Sequence, residues 1–163
     1  MNHPENYLDK ILTPEQAKLK IAGWHHLGHA VVFTNGVFDL LHEGHLHSLG
    51  QAAREGNHLV VGINSDASVQ RLKGPDRPIQ SQTTRAKILA ALLLVDVVIV
   101  FDEDTPADLI ALLQPDVLVK GGDYTVEQIA GAEGVLKRGG RVVINPLIEG
   151  FSTTASIRRI KKD

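Results

Sequence analysis

Val31-Val32-Phe33-Thr34-Asn35-Gly36-Val37-Phe38-Asp39-Leu40-Leu41-His42-Glu43-Gly44-His45 is the stretch on which the reading of this chain turns. It begins with β-branched and aromatic residues, passes through a glycine and ends by opening a helical pattern that runs to about Arg54, so it predicts strand, loop and helix. His42 and His45 are three residues apart and fall on one face of the helix's first turn. Unpaired backbone N–H groups and the positive end of the helix dipole lie at that same turn, which suits it to an anion. Histidine donors placed there would stabilise charge that develops on a polyphosphate during group transfer.

Working outward, the N-terminal flank starts with a polar segment, Met1 to Lys10, expected to be poorly ordered. Thr13-Pro14-Glu15-Gln16 supplies an N-cap and a proline at the first helical position, predicting a helix that ends near Gly28. On the other side, His58 to Asn64 is short, apolar and bounded by polar residues, as a buried parallel strand should be. Ser65 or Asp66 caps a short helix through about Leu72, and Lys73-Gly74-Pro75-Asp76-Arg77-Pro78 is expected to be a mobile, basic loop. A helix is predicted from Thr83 or Thr84 to Leu94, a strand over Val97 to Phe101, and a helix opened by Asp104-Thr105-Pro106 that runs to about Leu113.

Pro115 to Val119 reads as the fourth strand, Thr125 to about Lys137 as a helix, and Arg141 to Ile144 as the fifth strand. Phe151-Ser152-Thr153-Thr154 then caps a last helix from Ala155 to about Ile160. Alternating strands and helices predict an α/β domain with a five-stranded parallel sheet covered on both faces, over residues 30–163, preceded by an N-terminal segment and helix over residues 1–29. Ligands of such sheets bind beyond the carboxyl ends of the strands, where the strand order reverses.

With 17 Lys and Arg against 19 Asp and Glu, the net charge of −2 gives no broad basic surface for a nucleic-acid backbone. There is no cysteine, so disulfides and thiolate chemistry are excluded, which is compatible with a reducing cytoplasm. No apolar run approaches a membrane span, and Met1-Asn2-His3-Pro4-Glu5-Asn6 lacks the apolar core of a signal peptide; no membrane partner is expected, and a cytoplasmic location is the default.

Each candidate site residue has a plainer alternative. His42 and His45, with His47 nearby, suggest a metal site or a polar helix face, but zinc wants three or four convergent ligands, and His47 lies about 200° around the helix from His45. Phosphate binding is preferred, with no protein metal site, and Gly36 and Gly44 let a ligand group approach the backbone closely. Lys73 and Arg77 read alone as solvated loop charges, but beyond the second strand the lysine, on a flexible stem, is within reach of a triphosphate. Arg85 stands between surface charge and phosphate contact.

Ser152-Thr153-Thr154 exceeds the single hydroxyl an N-cap needs, and the run makes a phosphate cradle behind Gly150. Lys120-Gly121-Gly122-Asp123-Tyr124 is either a simple turn or a site where backbone approaches ligand and Lys and Asp fix charged and hydroxyl groups. Neither G-x-x-x-x-G-K-[ST] nor a strand-following G-x-G-x-x-G is present, and no nucleophile-histidine motif is found.

Gly36-Val37-Phe38-Asp39-Leu40-Leu41-His42-Glu43-Gly44-His45 matches G-x-F-D-x-x-H-x-G-H and resembles the signature of the nucleotidyltransferase superfamily that includes the cytidylyltransferases. Four further segments sharpen this: Asn64-Ser65-Asp66, Arg71-Leu72-Lys73-Gly74, Val119 to Tyr124 with Ile129-Ala130-Gly131-Ala132, and Ser152-Thr153-Thr154. Together they resemble the adenylyltransferases of bacterial ADP-heptose synthesis, in order and spacing, from about Ala30 to Ile160.

The resemblance implies a Rossmann-like, doubly wound sheet of the nucleotidyltransferase type with strand order 3-2-1-4-5, and transfer of AMP from ATP to D-glycero-β-D-manno-heptose 1-phosphate, with Mg²⁺ on the triphosphate. It implies that Thr34, Asn35, Gly36, Val37 and Phe38 lie along the nucleotide phosphates, that His42, Gly44 and His45 contact them, and that Lys73 steadies the β- and γ-phosphates. Arg85, Lys120, Gly121, Asp123 and Ser152 to Thr154 join the nucleotide site, while Asp39, Asn64 and Lys120 face the sugar phosphate. A separate heptose kinase is implied in the pathway, and the wider family suggests a homodimer. The rival readings are a cytidylyltransferase acting on glycerol 3-phosphate or another polyol phosphate, and a non-catalytic nucleotide sensor.

Overall fold

Val31, Val32 and Phe33 are fully buried although their side chains alternate between the two faces of a strand, so both faces of that strand must be covered. In the computed structural model, which describes residues 4–146, 150 and 152–160, this is β1 (Val31–Gly36), the middle strand of a five-stranded sheet. Met1, Asn2, His3 and Phe151 lie outside the described residues. The neighbours of β1 are β2 (His58–Asn64) and β4 (Val117–Gly121); β3 (Val97–Phe101) and β5 (Arg141–Asn145) form the edges. All four pairings are parallel and the order is β3-β2-β1-β4-β5, as the resemblance implied.

Alternation along β1 sorts the core into two layers. Val31 and Phe33 pack with Ile21 of α1 (Pro14–His26), Ile110 of α5 (Ala107–Leu113) and Val135 of α6 (Ala132–Lys137). Val32 packs on the opposite face with Leu49 of α2 (Glu43–Ala53) and Leu89 of α4 (Gln82–Ala90). Because Ala17 and Ile21 of α1 are buried in the same layer as Phe33, the N-terminal helix belongs to the domain's core. The remaining helices are α3 (Asp66–Lys73) and α7 (Thr153–Ile160). The chain winds outward from β1 to β3 and returns to β4, so the order reverses between β1 and β4 and their carboxyl ends flank the crevice.

The structure differs from the sequence expectation in several places, among them β4, which runs two residues later than expected, over Val117–Gly121. The segment expected to be poorly ordered forms a 3₁₀ helix over Pro4–Lys10; Lys10 Nζ donates to the Leu92 carbonyl at 3.1 Å and Leu12 N to the Val98 carbonyl at 3.0 Å. Its anchors are Tyr7 and Ile11, apolar bodies in a mostly polar stretch, packed against the α2/α4 layer. The loop expected to be mobile is tied down through Arg77, which bonds Asp39. Helix α4 ends at Ala90 rather than Leu94. The helix expected from Thr125 to Lys137 is two pieces, a 3₁₀ turn at Val126–Gln128 and α6 from Ala132. Finally, α7 starts at Thr153, two residues before the expected start, so Ser152 sits just outside the helix.

Gly131 explains the break before α6: its φ of +84° is left-handed, and a Cβ there would stand 2.8 Å from Ile110 Cδ1. Gly131→Ala should therefore combine left-handed strain with core overpacking and lose about 2–3 kcal/mol, read as a lower urea midpoint with an unchanged slope.

Candidate functional site

A loop over residues 37–42 leads from the end of β1 into helix α2, and His42 is the helix N-cap with extended backbone (φ −138°, ψ 172°). His45, at the third helical position, accepts the His42 backbone N–H on Nδ1 at 3.4 Å. A neutral imidazole that accepts on Nδ1 carries its proton on Nε2. The two rings stack with centroids 3.8 Å apart and 18° between planes, and Phe38 lies 5.3 Å from the His45 ring. Burial pushes the His45 pKa down to about 4; the neighbouring His42 pushes the same way, and Asp39 opposes both. Burial lowers His42 as well. At neutral pH the pair is thus uncharged, and His45 presents a single N–H.

The loop before these histidines is held in an unusual backbone. Phe38 and Leu40 both adopt left-handed φ, 51° and 52°, on either side of Asp39. Such non-glycine conformations cost on the order of 1–3 kcal/mol each and persist only where the surroundings impose them. Asp39, 1% exposed, supplies that constraint: its carboxylate accepts Arg77 Nε at 3.0 Å, Ile79 N at 2.8 Å and Gln80 N at 3.0 Å, and its carbonyl accepts the Thr153 hydroxyl at 2.8 Å.

Arg85 adds a second tie beneath the loop. Its side chain has no exposed surface and donates to the Val37 carbonyl at 2.7 Å, the Gln80 carbonyl at 3.0 Å and Asp66 Oδ1 at 2.8 Å. The direct phosphate contact expected of Arg85 is therefore corrected: the guanidinium is enclosed by protein acceptors and props the loop from behind.

A cleft of about 380 Å³ opens above these ties at the carboxyl ends of β1 and β4. Thr34, Asn35, Gly36, Val37, Phe38, Asp39, His42, Gly44, His45, Lys73, Lys120, Gly121, Ser152, Thr153 and Thr154 all line it. Two further walls were absent from the sequence-derived set, Arg77 and Ser48. Ser48 lies three residues beyond His45 and so shares its helix face, which was the available signal. A second cavity of about 470 Å³ adjoins and shares Asn35, Gly36, Val37, Lys73 and Lys120 with the first. Asn64 lines this second space, its Nδ2 donating to Ser68 Oγ at 3.0 Å, alongside Asp104, Thr105, Tyr124 and Gln128. Asp123 is exposed and lines neither of these two cavities.

Lys120 is the desolvated cation of the site. Burial lowers its pKa, and its ammonium stands 5.8 Å from the Tyr124 ring centroid. Among the described residues no ion pair neutralises it. No cluster of three or more His, Cys, Asp or Glu side chains among those residues has metal-holding geometry, and both Asp39 oxygens are already engaged.

Residues 33–159 match the cytidylyltransferase-like family model, and the chain belongs to that family of nucleotidyltransferases. More particularly, it is 54% identical over 144 residues to the bifunctional protein HldE of Gluconobacter oxydans, covering 88% of this chain and 30% of that protein. It is 52% identical over 158 residues to HldE of a Caulobacter species, covering 97% of this chain and 32% of the relative. The chain thus spans about a third of the length of these relatives.

Among solved structures, the lipopolysaccharide core biosynthesis protein from Thermoplasma volcanium is similar with TM-score 0.59 and 31% identity, over 74% of this chain and 98% of that one. The pantoate-beta-alanine ligase of Francisella tularensis, solved with a nucleotide, has TM-score 0.59 at 15% identity over 93% of this chain and 76% of its own, and shares the fold. Among the described residues no helix is long and apolar enough to cross a membrane.

The depressed His45 pKa has a stability consequence. The folded protein binds the His45 proton less readily than the unfolded chain, so stability should be constant above about pH 6.5 and fall as pH drops toward about 4. Urea unfolding at pH 7 and pH 4.5 is expected to show a loss of up to a few kcal/mol in the wild type that His45→Asn reduces.

Proposed function

We propose that this chain transfers the AMP portion of ATP to D-glycero-β-D-manno-heptose 1-phosphate, releasing pyrophosphate and forming ADP-heptose for the lipopolysaccharide inner core. The observation that carries the chemistry is the pair of adjoining cavities with Lys73 and Lys120 on their common wall, where two phosphate-bearing substrates can meet. The choice of sugar is supported by the similarity to HldE proteins and to the lipopolysaccharide core biosynthesis protein.

In the proposed reaction an oxygen of the sugar phosphate attacks the α-phosphorus in line as the bond to the β-phosphate oxygen breaks, and pyrophosphate leaves with that electron pair. A phosphate dianion needs no base to become nucleophilic, so positioning and charge stabilisation supply the catalysis. His45 donates its Nε2–H to the nucleotide phosphates beside His42, at the N-terminus of α2. Lys73 and the Ser152–Thr154 hydroxyls hold the outer phosphates, and Lys120 bridges toward the acceptor in the second cavity, where Asn64 is a further wall. Mg²⁺ arrives as part of Mg-ATP. The same reading places the enzyme in the cytoplasm, downstream of a heptose kinase, with a homodimer as its assembly.

The deciding assay is pyrophosphate release with Mg-ATP and D-glycero-β-D-manno-heptose 1-phosphate, run beside Mg-CTP with glycerol 3-phosphate. Release in the first mixture alone is expected; release in the second alone would replace the sugar and nucleotide assignments, and nucleotide binding without release in either would leave a sensor. His45→Ala should lower kcat about a hundredfold or more with the fold intact, as loss of one transition-state donor does. Lys73→Ala should raise KM for ATP about tenfold and slow turnover, as loss of a charged hydrogen bond would.

A further inference from the structure

We infer that Arg77 is a nucleotide-binding residue whose terminal guanidinium nitrogens grip the β- and γ-phosphates, and that the buried Asp39 carboxylate is the positioning residue that aims it. The inference rests on the nucleotide reading of the first cleft and is independent of the sugar.

Arg77 Nε donates to Asp39 Oδ2 at 3.0 Å, and the two side chains are 13% and 0% exposed. Among the described residues neither terminal nitrogen of Arg77 has a hydrogen bond or ion pair with protein. Arg77 therefore keeps most of its donors unspent in a nearly enclosed position, and it is a wall of the cleft that contains His45 and the Ser152–Thr154 hydroxyls. A carboxylate on Nε fixes the guanidinium plane and leaves the other nitrogens to meet two oxygens of a phosphate group.

Asp39 is itself immobilised by the Ile79 and Gln80 backbone N–H groups, so the aim is set by backbone and not by a flexible stem. The charge is needed because the stacked histidines are neutral donors, whereas a guanidinium keeps its charge across the working pH range. The position also sorts the substrates. Lys73 and Lys120 border both cavities, but Arg77 borders only the first, which assigns it to the nucleotide's outer phosphates and not to the acceptor.

The test is calorimetric binding of ATP and AMP to the full chain, wild type against Arg77→Met and Arg77→Lys, with unfolding midpoints measured alongside. AMP lacks the phosphates that Arg77 is assigned to hold. The Met variant should weaken ATP binding about tenfold or more while AMP binding stays within about twofold. The Lys variant keeps a cation beside the buried carboxylate but loses the fork, and should show a smaller loss with the same ATP selectivity; it decides the matter should the Met variant not fold. Asp39→Asn should reproduce the ATP-selective loss, which a role confined to stability would not. Equal weakening of ATP and AMP, or unchanged ATP binding, would overturn the inference alone. A wild-type chain that binds neither nucleotide would overturn the reading of the cleft as well.

Discussion

The site depends on one buried carboxylate. Leaving an ionised Asp without partners in a protein interior costs several kcal/mol, and Asp39 avoids this with one guanidinium and two backbone N–H donors. Those donors come from the segment that follows α3, while the Asp39 carbonyl takes the Thr153 hydroxyl from α7. Three stretches far apart in sequence are thereby held at one residue, and the left-handed Phe38 and Leu40 on either side are the conformational cost of turning the chain to meet them. Arg85 supports the arrangement from the far side by engaging the Val37 carbonyl and the Asp66 carboxylate. The loop that lines the first cleft is thus tied from beneath by two ionic contacts, Asp39 with Arg77 and Asp66 with Arg85.

Sheet order supplies the space that this loop borders. With β1 and β4 adjacent at the reversal, the loops that leave their carboxyl ends diverge to opposite sides, and both lysine-bearing walls converge above the gap. Glycines at the strand ends, Gly36 and Gly121, keep the floor open. A Cβ at Gly36 would stand 3.0 Å from the Phe38 ring, so that glycine also permits the ring to fold back toward His45.

Much of this was legible because it follows from patterns with a fixed period. The apolar runs of β2 and β3 give their bounds directly, and Thr13 with Gln16 forms the capping box its sequence signals. The histidines, both glycine loops and the hydroxyl run converge on one cleft because each lies just past a strand end or at a helix start. What the sequence hid depends on partners distant along the chain. Arg85 looks like any helix-surface cation until its acceptors at Val37 and Asp66 are placed around it. Tyr7 and Ile11 look like strays in a polar segment until β3 and α4 offer them a surface. The break before α6 needs the position of Ile110, since Gly131 alone signals only permissiveness. Arg77 belongs to the same class: loop composition marked it as a cation, and only Asp39 gives it a direction.

The electrostatics of the cleft divide into two kinds of group. Basic side chains, Lys73, Arg77 and Lys120, line its sides, while burial lowers the pKa of the stacked His42 and His45 at the start of α2 and keeps them neutral. Two imidazolium rings 3.8 Å apart in a partly buried site would repel each other and lose hydration, so the geometry itself disfavours charging both. In the proposed transfer this division is useful. Fixed charges gather two polyanions that would otherwise repel. A neutral N–H donor interacts modestly with a resting phosphate and more strongly as charge builds on the oxygens around the reacting phosphorus. Rate is gained only from interactions that strengthen on the way to the transition state. The low pKa of His45 is then a consequence of the same burial that aims its Nε2–H, and the cations around it supply the attraction that a neutral histidine gives up.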